Sequence, residues 1–207
     1  MSQSAVFPTK GNLLATKKSL ALATMGFELM DKKRHILIRE MMGLISQASA
    51  LRDEIGATFQ QAYQSLQQAN VTMGLIRPYT LDVPVEEGLS ISHRSVMGVD
   101  LPILHLEEQP LAPTYGMIQT NSALDMAVVN FHRVKRLTVT LAEIENSVYR
   151  LSVAIKKTQK RANALKNIII PRFEETQKFI SDALEEKERE EFSRLKVIKA
   201  TKAKKKN

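Results

Sequence analysis

The stretch from Leu137 to Ile169, LTVTLAEIENSVYRLSVAIKKTQKRANALKNII, decides the fold. Leu137, Leu141, Ile144, Val148, Leu151, Ile155, Thr158, Ala162, Leu165 and Ile169 fall at alternating steps of four and three residues. That alternation averages about 3.5 residues, the repeat that keeps one apolar seam against a partner helix as the two supercoil. A helix built this way needs a second of similar length, and the chain contains one. Between Thr9 and Arg77 a looser seam runs through Leu13, Leu20, Phe27, Ile38, Met41, Ile45, Ala48, Ile55, Phe59, Ala62, Leu66, Ala69, Met73 and Ile76. Asp31 and Arg34 interrupt it. Ala48, Ala62 and Ala69 allow the two backbones to approach closely. Gly26, Gly43 and Gly56 each cost roughly 1 kcal/mol against alanine inside a helix. This arm is therefore less rigid, or its glycines face something that needs room.

Prolines mark where the arms stop. Five of the seven lie between Arg77 and Gly116; the first arm has none and the second, Thr114 to Lys199, only Pro171. A proline lacks a backbone donor and clashes with the preceding turn, so proline-free arms can run as long helices. At about 1.5 Å rise per residue each spans roughly 100 Å. The expected fold is mainly α: a long antiparallel two-helix coiled coil of N- and C-terminal helices, with a small middle insert holding a short β-hairpin. The expected boundaries are a flexible N-terminus at 1–8, an N-terminal coiled-coil helix at 9–77, an insert at 78–118, a C-terminal helix at 119–199 and a basic disordered tail at 200–207. Pro171 leaves the carbonyl of Asn167 without its helical donor, which predicts a kink or a change of pitch there.

Within the insert, Leu89 and Ile91, then Val96, Val99, Leu101 and Ile103, alternate as short strands do. His93-Arg94-Ser95 reads as the hairpin turn, Gly98 as a bulge, and Pro102 as the sign of an edge strand. A lone hairpin is marginal in water, so it should lean on the helices or on another protein. Gln109 to Thr114, with Pro110 and Pro113, reads as a stiff loop, and Thr120 or Asn121 as the cap of the second helix.

Composition narrows the function. The 207 residues are only 5% aromatic and include no Trp, so the bulky side chains of a globular interior are scarce. Zero cysteines excludes disulfides and thiolate chemistry and fits a cytoplasmic setting. No run of 18 apolar residues occurs, so direct membrane insertion is not expected. The net charge of +8 is concentrated: Arg194, Lys196, Lys199, Lys202, Lys204, Lys205 and Lys206 follow Phe192 with no anion among them. Without them the remainder is close to neutral, unlike a nucleic-acid-binding face. The tail reads either as a solvated helix end, favoured by the helix dipole, or as a contact for an acidic surface. No phosphate-binding or dinucleotide-binding glycine motif is present. His35, His93, His105 and His132 never pair at helical spacing, and the acidic run from Glu185 to Glu191 alternates with cations as a solvated face does. No catalytic residue, metal site or cofactor is expected.

Two segments resemble a known family. Pro8-Thr9-Lys10-Gly11-Asn12-Leu13-Leu14, Lys17-Lys18-Ser19-Leu20 and Gly26-Phe27-Glu28-Leu29-Met30-Asp31-Lys32-Lys33-Arg34 look like the start of the D subunit of the V-type and A-type ATPases. Lys160-Arg161-Ala162-Asn163-Ala164-Leu165-Lys166, Ile170-Pro171, Glu174-Glu175-Thr176 and Leu184-Glu185-Glu186-Lys187-Glu188-Arg189 resemble its C-terminal signature. The resemblance implies a non-catalytic central-stalk subunit, the rotor axle that couples ATP synthesis or hydrolysis to proton or sodium transport. It implies a location in the cytoplasm, peripheral to the membrane. The implied partners are the catalytic and non-catalytic nucleotide-binding subunits of the hexamer, the F subunit and the socket subunit of the membrane ring. On that analogy Leu13, Leu20, Leu184, Phe192 and Leu195 face the hexamer, and the hairpin residues Leu89, Ile91, Val99, Leu101 and Ile103 make a contact outside the rod. The alternative, permitted by composition alone, is a generic antiparallel coiled-coil scaffold or adaptor with no rotary role.

Overall fold

A computed structural model describes residues 7–74, 76, 78, 86–107, 115 and 120–204. Helix α1 is Lys10–Met73, strands β1 and β2 are Leu89–Val96 and Val99–Leu106, and helix α2 is Ser122–Ala164. A π-turn at Leu165–Ile169 joins α2 to helix α3, Ile170–Lys204. The stiff loop expected at Gln109–Thr114 lies outside the described residues. Helix α3 runs to Lys204, well into the stretch expected to be disordered.

Helix ends follow the backbone's unpaired donors. Thr9 caps α1, its Oγ1 accepting from Asn12 N–H at 3.2 Å. Asn121 caps α2, with Oδ1 accepting from Leu124 N–H at 3.2 Å. Asp125 in the first turn of α2 suits the positive end of that helix. Packing divides the chain into two units, Met1–Arg34 with Lys157–Asn207, and His35–Lys156.

In the unit His35–Lys156, α1 and α2 run antiparallel. Asn121 donates to Thr72 Oγ1 at 2.6 Å and Asn130 to Ser65 Oγ at 2.8 Å, while Arg133 meets Glu54 and Arg52 meets Glu145. The core holds Leu37, Leu44, Ile144 and Leu151, with Met41, Ala48, Leu51, Val148 and Ile155 packed around them. The expected seam is corrected here: Leu37 and Leu44 point inward, whereas Ile38 and Ile45 are 36% and 42% exposed. The reason lies upstream. Leu13, Thr16, Leu20, Ala23, Phe27, Met30, Arg34, Leu37, Met41, Leu44, Ala48, Leu51, Ile55 and Thr58 are buried or half-buried in unbroken steps of three and four. Arg34 occupies a seam position instead of interrupting the seam, and skipping it loses the phase by one residue.

The hairpin leans on these helices. Leu101 from β2 is fully buried in the Leu37–Leu151 core, and Val96 and Val99 pack beside it. Polar anchors add to this: Leu104 N–H donates to Glu143 Oε2 at 2.9 Å, Arg94 to Glu40 Oε1 at 2.8 Å and Arg150 to the Asp100 carbonyl at 3.0 Å. The turn is Met97-Gly98, not His93-Arg94-Ser95, which lies inside β1 paired with Pro102, Leu101 and Asp100. Met97 and Gly98 both have positive φ, 51° and 72°, as a two-residue turn matching the strand twist requires. Gly98 is therefore a turn residue and not a bulge.

In the unit Met1–Arg34 with Lys157–Asn207, Ile180 is fully buried, with Ala23, Thr158 and Ala162 nearly so. Lys166 Nζ stands 5.8 Å from the centre of the Phe27 ring. The pitch change expected near Pro171 is the π-turn: Ile170 N–H donates to the Leu165 carbonyl, five residues back.

Among the described residues nothing crowds the glycines of α1. A Cβ on Gly43 or Gly56 meets nothing within 4 Å, and on Gly26 only a Leu165 methyl at 3.9 Å. Gly56→Ala is therefore expected to raise stability by about 1 kcal/mol, checked by urea unfolding of the two proteins.

Candidate functional site

The end of α3 is the first of three open surfaces. Leu184 is the last half-buried residue; from Glu185 to Lys202 every side chain is exposed although the backbone stays helical. Lys10, at the first turn of α1, pairs with Glu188 at 3.0 Å, so α3 continues beyond the point where α1 begins. The overhang carries Phe192 at 69% exposure and Leu195 at 64%, with Val197 and Ile198 also open. Arg194, Lys196, Lys199 and Lys202 lie among them. A solitary helix of this length is marginal in water, and its large exposed apolar groups interleaved with cations make it a candidate interaction surface.

The second surface is a stripe on the outer side of α1. Leu22, Met25 and Leu29 recur at steps of three and four and are all more than half exposed, as is Leu14. They stand off the inward seam, so α1 is apolar on two faces within this stretch. The sequence reading followed only the seam and missed them; a second set of three-and-four steps, out of phase with the first, is the signal that finds them.

The third surface is β1. Seven of its eight residues are exposed, including Leu89 and Ile91, and Ser92 Oγ lies 2.9 Å from His105 Nε2 across the ladder. The five residues read as hairpin contacts thus divide. Leu89 and Ile91 face out, Val99 and Ile103 are half-buried, and Leu101 is consumed by the chain's own core. The five residues read as facing the hexamer divide as well. Leu13, Leu20 and Leu184 are half-buried seam residues, and Phe192 and Leu195 are open.

Titratable groups cluster where α2 meets the insert. Lys135 bonds Glu86, and that hydrogen bond, with the one from Gly88 N–H, holds the Glu86 carboxyl below its usual range. Burial, helped by the Lys135 cation, lowers the His132 pKa below the usual 6.5. Burial and then its 2.5 Å hydrogen bond to Asp125 push the Tyr115 hydroxyl up to about 12. The folded chain binds the His132 proton less readily than the unfolded chain, so this contribution is present above about pH 6.5 and is lost as pH falls below it. Thermal midpoints should drop between pH 7 and pH 5, and His132→Gln should flatten that part of the profile.

Among the described residues no group of His, Cys, Asp and Glu is arranged to hold a metal ion, and no helix is long and apolar enough to cross a membrane. What the three surfaces can do chemically is bind other proteins.

Comparisons with known proteins agree on one family. A family model described as the ATP synthase D subunit matches residues 12–200. The V-type ATP synthase D subunit of Thermotoga neapolitana is 45% identical over 196 residues, covering 94% of this chain and 97% of that one. The A-type ATP synthase D subunit of Pyrococcus horikoshii is 38% identical over 198 residues, 93% of this chain and 92% of its own. The A-type ATP synthase D subunit of Methanobrevibacter smithii is 35% identical over 205 residues, 97% and 89% of the two chains.

Proposed function

The chain belongs to the family of ATP synthase D subunits, and from that premise we propose that it is the non-catalytic axle of a rotary ATPase, passing torque between a nucleotide-binding hexamer and an ion-translocating ring. The observation that carries this reading is the end of α3. It is helical, sets large apolar side chains among cations, and from Glu185 to Lys202 stays exposed among the described residues, with Lys10 meeting Glu188 at its start. A surface of that kind needs an enclosing partner. The catalytic and non-catalytic subunits of the hexamer supply one, with Phe192 and Leu195 as contacts and the outer stripe Leu22–Met25–Leu29 extending them along α1.

A shaft of unequal faces then does the coupling. Each catalytic site meets a different side of it, so turning the shaft alters nucleotide affinity and nucleotide occupancy biases the shaft's angle by the same free energy. Chemistry stays in the surrounding subunits, as the lack of any phosphate-binding motif in this sequence suggests. The insert-bearing end meets the F subunit and the socket subunit of the ring, with Leu89 and Ile91 of β1 free to join that contact. The assembly is peripheral to the membrane on its cytoplasmic side. Photocrosslinking from Ile91 tests the hairpin's share: an adduct with a neighbouring subunit supports it, and none in the intact complex overturns it.

Reconstitution tests the whole reading. Assembled with the nucleotide-binding subunits and carrying a bead at its insert-bearing end, this chain is expected to turn in 120° steps when ATP is added, a step set by three equivalent sites. A chain that co-assembles but stays fixed during hydrolysis is a scaffold, and the rotary reading fails.

A further inference from the structure

The unit formed by Met1–Arg34 and Lys157–Asn207 contains one seam residue too many. Along α2 and α3 the inward side chains are Thr158, Ala162, Leu165, Ile170, Phe173, Gln177, Ile180 and Leu184, all buried or half-buried. Each step is three or four residues except Leu165 to Ile170, which is five. The π-turn covers that step, and a π-turn is in effect one residue inserted into an α-helix. Apolar chemistry does not dictate where the extra residue goes. Ile168, Ile169 and Ile170 are consecutive, so an uninterrupted α-helix brings Ile169 into the seam four residues after Leu165, with the same side chain that Ile170 now provides. At present Ile168 is 65% exposed, Ile169 37%, and Ile170 half-buried. Pro171 narrows the gap between the two arrangements, because it has no N–H for the Asn167 carbonyl and an unbroken α-helix gains one bond fewer here than elsewhere.

We propose that Leu165–Ile170 is a two-register element, a π-turn that resolves into α-helix when a flanking helix shifts by one residue, with a polar clamp centred on Arg34 holding α2 in the phase that keeps the turn. Arg34 sits in the α1 seam, paired with Asp31 at 2.6 Å and donating to Gln159 Oε1, while Gln159 donates to Asn163 Oδ1 at 2.7 Å. The facing seam residues are small, Thr158 and Ala162, and leave room for the arginine stem. A one-residue shift of α2 brings Lys160 to the place of Gln159 beside Arg34, like charge against like charge, so the clamp holds one phase. Lys166 over the Phe27 ring holds the same phase up to the edge of the π-turn. Below the turn, the fully buried Ile180 fixes the other end. With both ends pinned, the helix between them keeps its extra residue. Releasing the clamp lets α2 turn by about 100° and advance about 1.5 Å while Ile180 still holds α3, which resolves the π-turn into α-helix.

The test uses the full chain, which has no cysteine of its own. Spin labels at Lys17→Cys and Lys157→Cys, both exposed and on α1 and α2, report the register by pulsed electron–electron resonance. The chain with Arg34 and Gln159 intact should give one distance, and Arg34→Leu with Gln159→Leu should add a second population. Deleting Ile169 makes every seam step three or four residues. On either background that deletion should give a single distance and a thermal midpoint no lower than its parent's, whereas deleting the exposed Glu175, where nothing is in excess, should lower the midpoint. A double-leucine variant with one unshifted distance, or an Ile169 deletion as damaging as that of Glu175, overturns the proposal.

Discussion

Leu151→Ala is expected to destabilise the chain by about 2–5 kcal/mol, the range for truncating a fully buried leucine whose site cannot collapse. Leu151 has no exposed surface and lies where Leu37 and Leu44 of α1, Ile144 of α2 and Leu101 of the hairpin meet. Three backbone segments converge there, so none can move in to fill the void without losing its contacts with the other two. A long helix pair with few aromatic anchors has little reserve, and total stabilities of about 5–15 kcal/mol make such a loss a large fraction of the whole. Urea unfolding followed by circular dichroism measures it. A loss under about 1 kcal/mol, the size of a surface substitution, would show that this junction is looser than its burial indicates.

Truncation after Leu184 should have the opposite profile: little change in the fold and near-complete loss of coupling. Among the described residues the removed segment meets the rest of the chain at the Lys10–Glu188 pair, whose side chains are 80% and 61% exposed. Exposed pairs of that kind contribute little. Helix content per residue and the unfolding midpoint should therefore stay close to those of the full chain. In the reconstituted complex, the proposed contact of Phe192 and Leu195 with the surrounding subunits is removed, and ATP-driven rotation should fall at least tenfold. Phe192→Asp with Leu195→Asp, at full length, should reproduce the loss and so separate the apolar contact from mere length. Rotation that survives both changes moves the contact elsewhere on the shaft, with the Leu22–Met25–Leu29 stripe as the next place to look.

Most of the helical architecture was legible because it depends on a periodicity that polar substitutions barely disturb. The second arm's seam from Leu137 to Leu165 reads directly, and the structure has each of those residues buried or half-buried. The first arm's seam was misread at Ile38 and Ile45 for one physical reason. An arginine in a core position looks like a break until its partners are known, and Asp31 and Gln159 are those partners. The hairpin's existence was legible from alternation, but its turn was not. Met97 at positive φ is an uncommon choice, whereas His93-Arg94-Ser95 looks polar enough to turn and instead lies within β1, with Arg94 reaching Glu40 of α1. Of the contact residues, Leu101 shows the limit most clearly. Alternation marks which residues share a face of a strand, and cannot say whether that face meets a neighbour or the chain's own helices.

The π-turn was half legible. Pro171 signals trouble with a carbonyl, yet three isoleucines in a row conceal which of them the seam uses. Only the backbone, with Ile170 N–H reaching the Leu165 carbonyl, resolves it.

Seating Leu101 among Leu37, Leu44, Ile144 and Leu151 also sets how long the two-stranded ribbon lasts. Its ladder cannot peel away by itself, because withdrawing that one leucine exposes the junction of both long helices. The ribbon's lifetime is thereby borrowed from its mount: a load hung on Ile91 reaches the helical spine as leverage and is not dissipated by fraying at the tip.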